Sequence, residues 1–255
     1  MTKCGDGSTV SMQQYDEIGE AFEGFKALPL AHYAEVPSFL ALVGDVRGKS
    51  VLDLASGTGF YSREFKRRGA ADVFGVDISG EMVAAARELE ERDPLGVRYE
   101  RGDVSELRPL GRQFDAAMAV QLLNYAADVA AMERMCHKVH QNLAPGAEFF
   151  VLAQTPDYRF DGPPLGKYGF LTELTGEEAE AGPRVRTTAL LDPPISFVST
   201  CPRREVYEGC LRAAGFSEVT WVPLEVSGAG MDAFGAGYWA DFLSNPPLEM
   251  LRCRA

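Results

Sequence analysis

The sequence predicts an α/β fold built on a mostly parallel sheet. Three observations carry this. From residue 50 onward, short apolar runs rich in branched residues alternate with helical patterns. The first run, Ser50–Leu54, breaks into small residues and two glycines one apart, Gly57 and Gly59, before a helical pattern over 60–68. Acids stand in or at the end of the first three runs, at Asp53, Asp77 and Asp103. Strand, glycine turn and helix together make a nucleotide-type cofactor site. The glycines let the backbone approach a ligand, and the helix N-terminus favours a negative group.

Two details choose the cofactor. Gly57 and Gly59 match the first two positions of the dinucleotide motif G-x-G-x-x-G, but the third is Ser62. Asp53 lies inside the strand, four residues before Gly57, where a pyrophosphate would be repelled. A ligand with an ammonium group and no phosphate, such as S-adenosylmethionine (SAM), suits that carboxylate. Its carboxylate can face the helix N-terminus. The second strand, 72–76, leads into Asp77, placed to accept both ribose hydroxyls. The third, 97–101, leads into Asp103, which can take the adenine amino group. Around these acids, Ala55, Ser56, Phe60, Ile78 and Val104 are expected to line the cofactor, with Met82 near the adenine ring.

The rest of the chain follows in order. A helix with Ile18, Phe22 and Phe25 on one stripe is predicted over 15–28, and a second over 31–43. Ser79 is a good N-cap for a helix over Gly80–Arg92. The fourth strand, Phe114–Val120, ends at Gln121, so Gln121 and Leu122 face the cofactor, and Asn124 and Tyr125 the acceptor. A helix over 128–142 and a fifth strand over 147–153 come next, the strand leading into Gln154. Residues 155–202 are rich in Pro, Gly and aromatics, and read as an inserted cap in which 185–189 and Ile195–Thr200 pair as strands. A helix over 203–214, a strand over 216–226, a glycine-rich loop with Tyr238 and Trp239, and a last strand over 248–252 complete the chain.

These segments resemble a class I SAM-dependent methyltransferase over nearly the whole chain. Within that class the chain is similar to azapteridine N-methyltransferases of the toxoflavin type. The matching residues are Tyr15-Asp16 with Gly19 and Phe22, then 48–55, and Gly75-Val76-Asp77-Ile78-Ser79. Asn124-Tyr125-Ala126, Lys167-Tyr168-Gly169, Asp192-Pro193-Pro194 and Ala214-Gly215-Phe216 continue the match. The resemblance implies a Rossmann-like, seven-stranded, mostly parallel sheet with an antiparallel last strand. It also implies that the N-terminal helices form a lid with an aromatic near the reacting centre, for which Tyr15 is the candidate. The expected organisation is a disordered tail over 1–12, a helical lid over 13–45, a cofactor core over 46–155, a substrate cap over 156–202 and the remainder of the sheet over 203–255.

The predicted chemistry is in-line displacement at the SAM methyl. The acceptor is a nitrogen, or an acidic oxygen, of a small heteroaromatic metabolite. No His or carboxylate beyond the cofactor set is placed as a general base, which a plain hydroxyl acceptor would want. Asn124, Gln121 and Gln154 are expected to hydrogen-bond the acceptor, and Tyr158, Tyr168, Tyr238 or Trp239 to stack on it. An O-methyltransferase of a phenol or carboxylate and a non-catalytic SAM-binding protein are the alternatives. An NAD-dependent oxidoreductase is disfavoured by Asp53 and Ser62.

Bulk properties narrow the partners. A net charge of −12 argues against a broad nucleic-acid footprint, and no apolar run approaches the ~20 residues of a membrane span. Five scattered cysteines without CxxC spacing read as reduced cytoplasmic thiols. His137 and His140, three apart, read as helix-terminus residues and not as metal ligands. Asp192-Pro193-Pro194-Ile195 and Asn245-Pro246-Pro247-Leu248 are reminiscent of the turn used by DNA adenine methyltransferases, but each ends in an aliphatic that cannot stack a flipped base. Both are read as structural turns.

Overall fold

The computed structural model describes residues 22–255. Tyr15 and the expected 1–12 tail lie outside them. The chain enters with a helical turn, Phe22–Phe25, and the helix predicted over 31–43 divides into a π-helical turn, Ala31–Glu35, and α1, Val36–Val43. Pro37 in the first turn of α1 lacks the N–H that a regular helix would need to continue backward.

Alternation then runs as predicted: β1 Ser50–Leu54, α2 Phe60–Arg67, β2 Asp72–Asp77, α3 Gly80–Arg92, β3 Arg98–Arg101 and β4 Phe114–Val120. After these come α4 Val129–Gln141 and β5 Leu143–Gln154. Ser79 caps α3 by accepting from the Met82 N–H at 3.2 Å, and Asp128 caps α4 by accepting from the Ala131 N–H at 2.6 Å. The fifth strand is longer than predicted. It runs through Pro145 and Gly146, because its first residues pair at the sheet's margin.

Beyond the cap come α5 Arg204–Ala213, β9 Ser217–Pro223, α6 Gly228–Phe234, α7 Ala236–Ser244 and β10 Leu248–Arg254. The seven-stranded sheet has the order β3-β2-β1-β4-β5-β10-β9. β10 is antiparallel to both neighbours, and the remaining pairs are parallel. One face is covered by α4 and α5 through Met132, Val139, Tyr207 and Leu211. The other is covered by α1, α2, α3 and α7 through Phe39, Phe65, Val83 and Trp239. Burial on both faces explains why the central strands read as continuous apolar runs. β1 lies between β2 and β4, so the strand order reverses there and a crevice opens at the carboxyl ends.

Two departures concern the later chain. The glycine-rich loop expected around Tyr238 and Trp239 is instead α6 and α7. Ser227 caps α6, and the buried Trp239 and Phe242 anchor α7, so packing overrides the low helix propensity of Gly228, Gly230 and Gly237. The cap contains a second sheet, β6 Phe170–Glu178, β7 Pro183–Ala189 and β8 Ile195–Thr200. β7 and β8 pair from Ala189↔Ile195 to Arg184↔Thr200, as expected for that stretch. β6, which pairs antiparallel with β7, was not anticipated; its exposed face carries no apolar alternation to reveal it.

Candidate cofactor and acceptor site

The glycine turn is built by backbone bonds. The Ser56 N–H donates to the Val76 carbonyl at 3.1 Å, and the Gly59 N–H closes the turn on Ser56 at 2.9 Å. Gly59 has φ 87°, and a Cβ there would lie 2.2 Å from the Tyr99 hydroxyl, so only glycine fits. Asp77 at the end of β2 holds the turn: its Oδ2 accepts from the Gly57 N–H at 2.7 Å and its Oδ1 from the Ser79 N–H at 2.9 Å.

A cavity opens over this turn at the carboxyl ends of β1, β2, β4 and β5. Its core wall is Asp53, Ala55, Ser56, Gly57, Phe60, Asp77, Ile78 and Met82, continuing into Val120, Gln121, Leu122, Tyr125 and Gln154. The N-terminal segment closes one side with Phe25, Lys26, Leu30, Ala31 and Glu35. The cap sheet roofs it with Phe170, Thr172, Thr187 and Phe197, and Pro247 and Leu248 finish the rim. Ala55 and Gln121, ending the adjacent strands β1 and β4, both carry left-handed backbone, with φ of 59° and 56°. Non-glycine residues are held in such strain mainly where a site needs it.

The charges concentrate at the glycine turn. Asp53 is buried, and its Oδ2 accepts from the Ser62 hydroxyl at 2.5 Å. Burial, opposed by the Ser62 bond and reinforced by the nearby Asp77, pushes its carboxyl up to about 7. Lys26 pairs with Glu35, which also accepts from the Tyr61 hydroxyl at 3.0 Å. The Lys26 ammonium stands 4.6 Å from the Tyr61 ring centre.

These residues fit SAM. Asp53 and Asp77 offer two carboxylates to one ammonium and one ribose diol, and Ile78 and Met82 give an apolar face for adenine. Ser56 lines the cavity, and its hydroxyl, beside Gly75, is buried without a partner among the described residues. Buried polar groups without a partner are few and call for an explanation such as an ion or ligand that completes the site.

Several predicted residues stand elsewhere. Asp103 caps the turn Val104–Glu106 by accepting from the Ser105 N–H at 2.8 Å, and Val104 is packed in the core; neither is in the cavity wall. Asn124 is buried behind Gln121, donating to its Oε1 at 3.1 Å. The rings expected to stack on the acceptor form their own cluster. Tyr168 and Trp239 are fully buried and stacked at 5.1 Å, and the Trp239 indole N–H donates to the Gly230 carbonyl at 2.9 Å. Tyr168 donates to the Tyr238 carbonyl at 2.5 Å, and Tyr238 to the Lys167 carbonyl at 2.5 Å. Tyr158 packs edge-on against Phe160 at 5.1 Å. Aromatic type drew attention to these four, but the Tyr168 and Tyr238 hydroxyls join the cap to α7, the Trp239 indole ties α7 to α6, and none of the four lines the cavity.

Phe60, Tyr61 and Tyr125 line the cavity from the core side, and Phe25, Phe170 and Phe197 from the N-terminal segment and the cap; Phe25 lies 5.4 Å from Phe197 and 6.4 Å from Phe170. Phe170 and Thr172, two residues apart on β6, both line the cavity, but the exposed Leu171 and Leu174 blur the alternation that would have marked them. Pro247 and Leu248 belong to one of the two turns read as structural, and they also line the cavity rim. Asn245 braces Arg159 with its side chain, while the two residues after Pro246 line the rim.

Among the described residues no group of three His, Cys, Asp or Glu is arranged for a metal. His140 packs on Phe216 at 5.0 Å. The four described cysteines are buried free thiols, and no described helix is long and apolar enough to cross a membrane.

Comparison with known proteins agrees with the cofactor chemistry. A profile described as a methyltransferase domain matches residues 51–146. An N-demethylindolmycin N-methyltransferase of Streptomyces griseus is 30% identical over 186 residues, covering 71% of this chain and 75% of that protein. A ubiquinone biosynthesis O-methyltransferase of Coxiella burnetii is 30% identical over 105 residues; this match spans 41% of the chain and only 43% of the relative. Among solved structures, an S-adenosylmethionine-dependent methyltransferase from Mesorhizobium loti superposes with a TM-score of 0.64 at 23% identity, covering 91% of this chain and all of that one.

Proposed function

Since the chain belongs to the SAM-dependent methyltransferase family, we propose that it transfers a methyl group from SAM to a nitrogen, or an acidic oxygen, of a small heteroaromatic metabolite. The observation that carries this reading is the division of one cavity into two chemically distinct halves. The half over the glycine turn holds the charges, Asp53, Asp77, Lys26 and Glu35. The half under the cap offers Phe170, Phe197, Thr172, Thr187 and Gln154, rings and neutral hydrogen-bonding groups, with no carboxylate or imidazole among the described residues. Such a wall suits a flat, neutral heterocycle.

SAM, when bound, supplies a methyl group on an already electrophilic sulfonium. Asp53 would hold its ammonium group, Asp77 the ribose hydroxyls, Ser56 and Gly57 at the N-terminus of α2 its carboxylate, and Ile78 and Met82 the adenine. The cap and the segment around Phe25 exclude water and orient the acceptor. Orientation of two reactants is worth up to about 7–11 kcal/mol, so a nitrogen nucleophile needs no dedicated base. An acidic oxygen arrives already ionised and needs none either. The toxoflavin-type similarity and the N-methyltransferase relative both support a nitrogen acceptor. A role in specialised metabolism and a cytoplasmic location complete the proposal.

The test is calorimetric titration with S-adenosylhomocysteine and NAD, followed by a mass-gain screen over heteroaromatic amines, lactams and phenols. Binding of the first ligand alone, lost in Asp77→Ala, with methylation on nitrogen, is the expected result. Methylation confined to phenols would replace the nitrogen reading with the O-methyl one.

A further inference from the structure

Two carboxamides end neighbouring strands at the acceptor half of the cavity, and their anchoring is opposite. Gln121 follows β4. Its backbone is held in the left-handed region at φ 56° by an N–H bond to the Leu152 carbonyl at 2.8 Å. Its side-chain oxygen is taken by Asn124 Nδ2 at 3.1 Å. Gln154, the last residue of β5, uses its nitrogen instead, donating to Ser199 Oγ at 3.2 Å and Thr187 Oγ1 at 3.4 Å.

The Asn124 orientation has a physical reason. Asn124 is 1% exposed, and its Oδ1 is buried without a partner among the described residues. Turning the amide over would leave a buried NH2 group orphaned in place of a carbonyl. Orphaned N–H groups are the rarer and less tolerated of the two. Asn124 therefore keeps its NH2 on Gln121 and holds the Gln121 amide with its own NH2 free. No partner for that NH2 is found among the described residues, and Gln121 lines the cavity.

We propose that Asn124 is a positioning residue that makes Gln121 a fixed hydrogen-bond donor to the acceptor. The acceptor then carries a lone pair, a carbonyl oxygen or an unprotonated ring nitrogen, on the side facing the end of β4. That atom is distinct from the nucleophile, whose own lone pair must stay free. Gln154 presents its oxygen from the next strand and takes an N–H or O–H of the same molecule. This assignment rests on the methyltransferase reading, because it places the acceptor beside a SAM-loaded site.

The experiment uses protein saturated with S-adenosylhomocysteine and two matched probes, 1-indanone and indane, which differ by one carbonyl. Affinities are read by ligand-observed NMR titration, and the quantity compared is the ratio between probes within each variant. Wild type is expected to prefer indanone by about tenfold, the worth of one good hydrogen bond. Gln121→Met keeps the bulk and removes the donor, so the ratio falls to about one. In Asn124→Leu the Gln121 amide turns freely, and the ratio falls to about threefold or less. An unchanged ratio in Asn124→Leu overturns the positioning role. A wild-type ratio near one, or no saturable binding of either probe, overturns the donor assignment. Failure of wild type to bind S-adenosylhomocysteine is the separate result that overturns the methyltransferase reading beneath it. If Asn124→Leu does not fold, Gln121→Met alone still decides the donor, and Asn124→Gln, which retains an amide, decides the anchor.

Discussion

At Asp53 the proposed cofactor contact becomes testable by pH. Burial holds its carboxyl at about 7, far above the ordinary value of 3.8. A raised acid stabilises the fold below its unfolded pKa, and that contribution is lost as pH rises from about 4 through 7. Without ligand, the melting temperature of wild type is expected to fall across this window relative to Asp53→Asn, which cannot ionise. Cofactor binding runs the other way. An ammonium group wants the ionised carboxylate, so affinity for S-adenosylhomocysteine should rise between pH 6 and 8 in wild type and stay flat in Asp53→Asn. Parallel curves for the two proteins would remove Asp53 from the cofactor site. The Ser62 hydroxyl, which replaces the third glycine of a dinucleotide motif, is the donor that steadies this carboxylate.

At the scale of elements, α7 and the cap are locked together by the cluster of Tyr168, Tyr238, Trp239 and Phe242. This gives the aromatics a structural task. Truncating a fully buried Trp costs about 3–5 kcal/mol, and in a chain of this size about 2–4 °C of melting temperature follows each kcal/mol. Trp239→Ala should therefore melt on the order of 10 °C lower. If Trp239→Ala instead loses acceptor affinity with its melting temperature intact, the ring belongs in the acceptor pocket after all. The cap sheet supplies the roof through one face of β6, β7 and β8. Replacing Phe197 should thus affect the acceptor more than the cofactor, as the division of the cavity requires.

For the whole molecule, the net charge of −12 argues against a nucleic-acid acceptor. A nucleic-acid acceptor must be met by clustered Lys and Arg that displace its counterions. In this chain the described arginines are mostly engaged with local acids, as in Arg63 with Glu90 and Asp93, and Arg204 with Asp157 and Glu249. Gel-shift titration with duplex DNA and structured RNA at about 0.15 M salt, where screening acts over about 8 Å, should show no complex. A saturable micromolar complex would reopen the nucleic-acid class.

Much of this was legible because the constraint is local. The alternation of elements, the cap Ser79, the turn at Gly57 and Gly59, and the acids Asp53 and Asp77 each follow from neighbours a few residues away. Burial of the sheet on both faces leaves its record as apolar runs, and β10 and its antiparallel direction came from the family resemblance those runs supported. The acceptor half was not legible in this way. Pairing of the cap strands brings Thr187 and Phe197 together locally, but Phe25, the cap and Leu248 are far apart in sequence, and no local pattern says that they meet. Residue type alone favoured Tyr168 and Trp239 as stacking rings, yet which rings face a cavity and which fill a core depends on how the cap packs on α7. So the chain by itself determined the sheet and the cofactor, because the acids and the glycine turn that point to them are read from local sequence. Only the tertiary structure decided the acceptor wall, because long-range packing chooses which side of each strand and which of several equivalent amides is left facing the cavity.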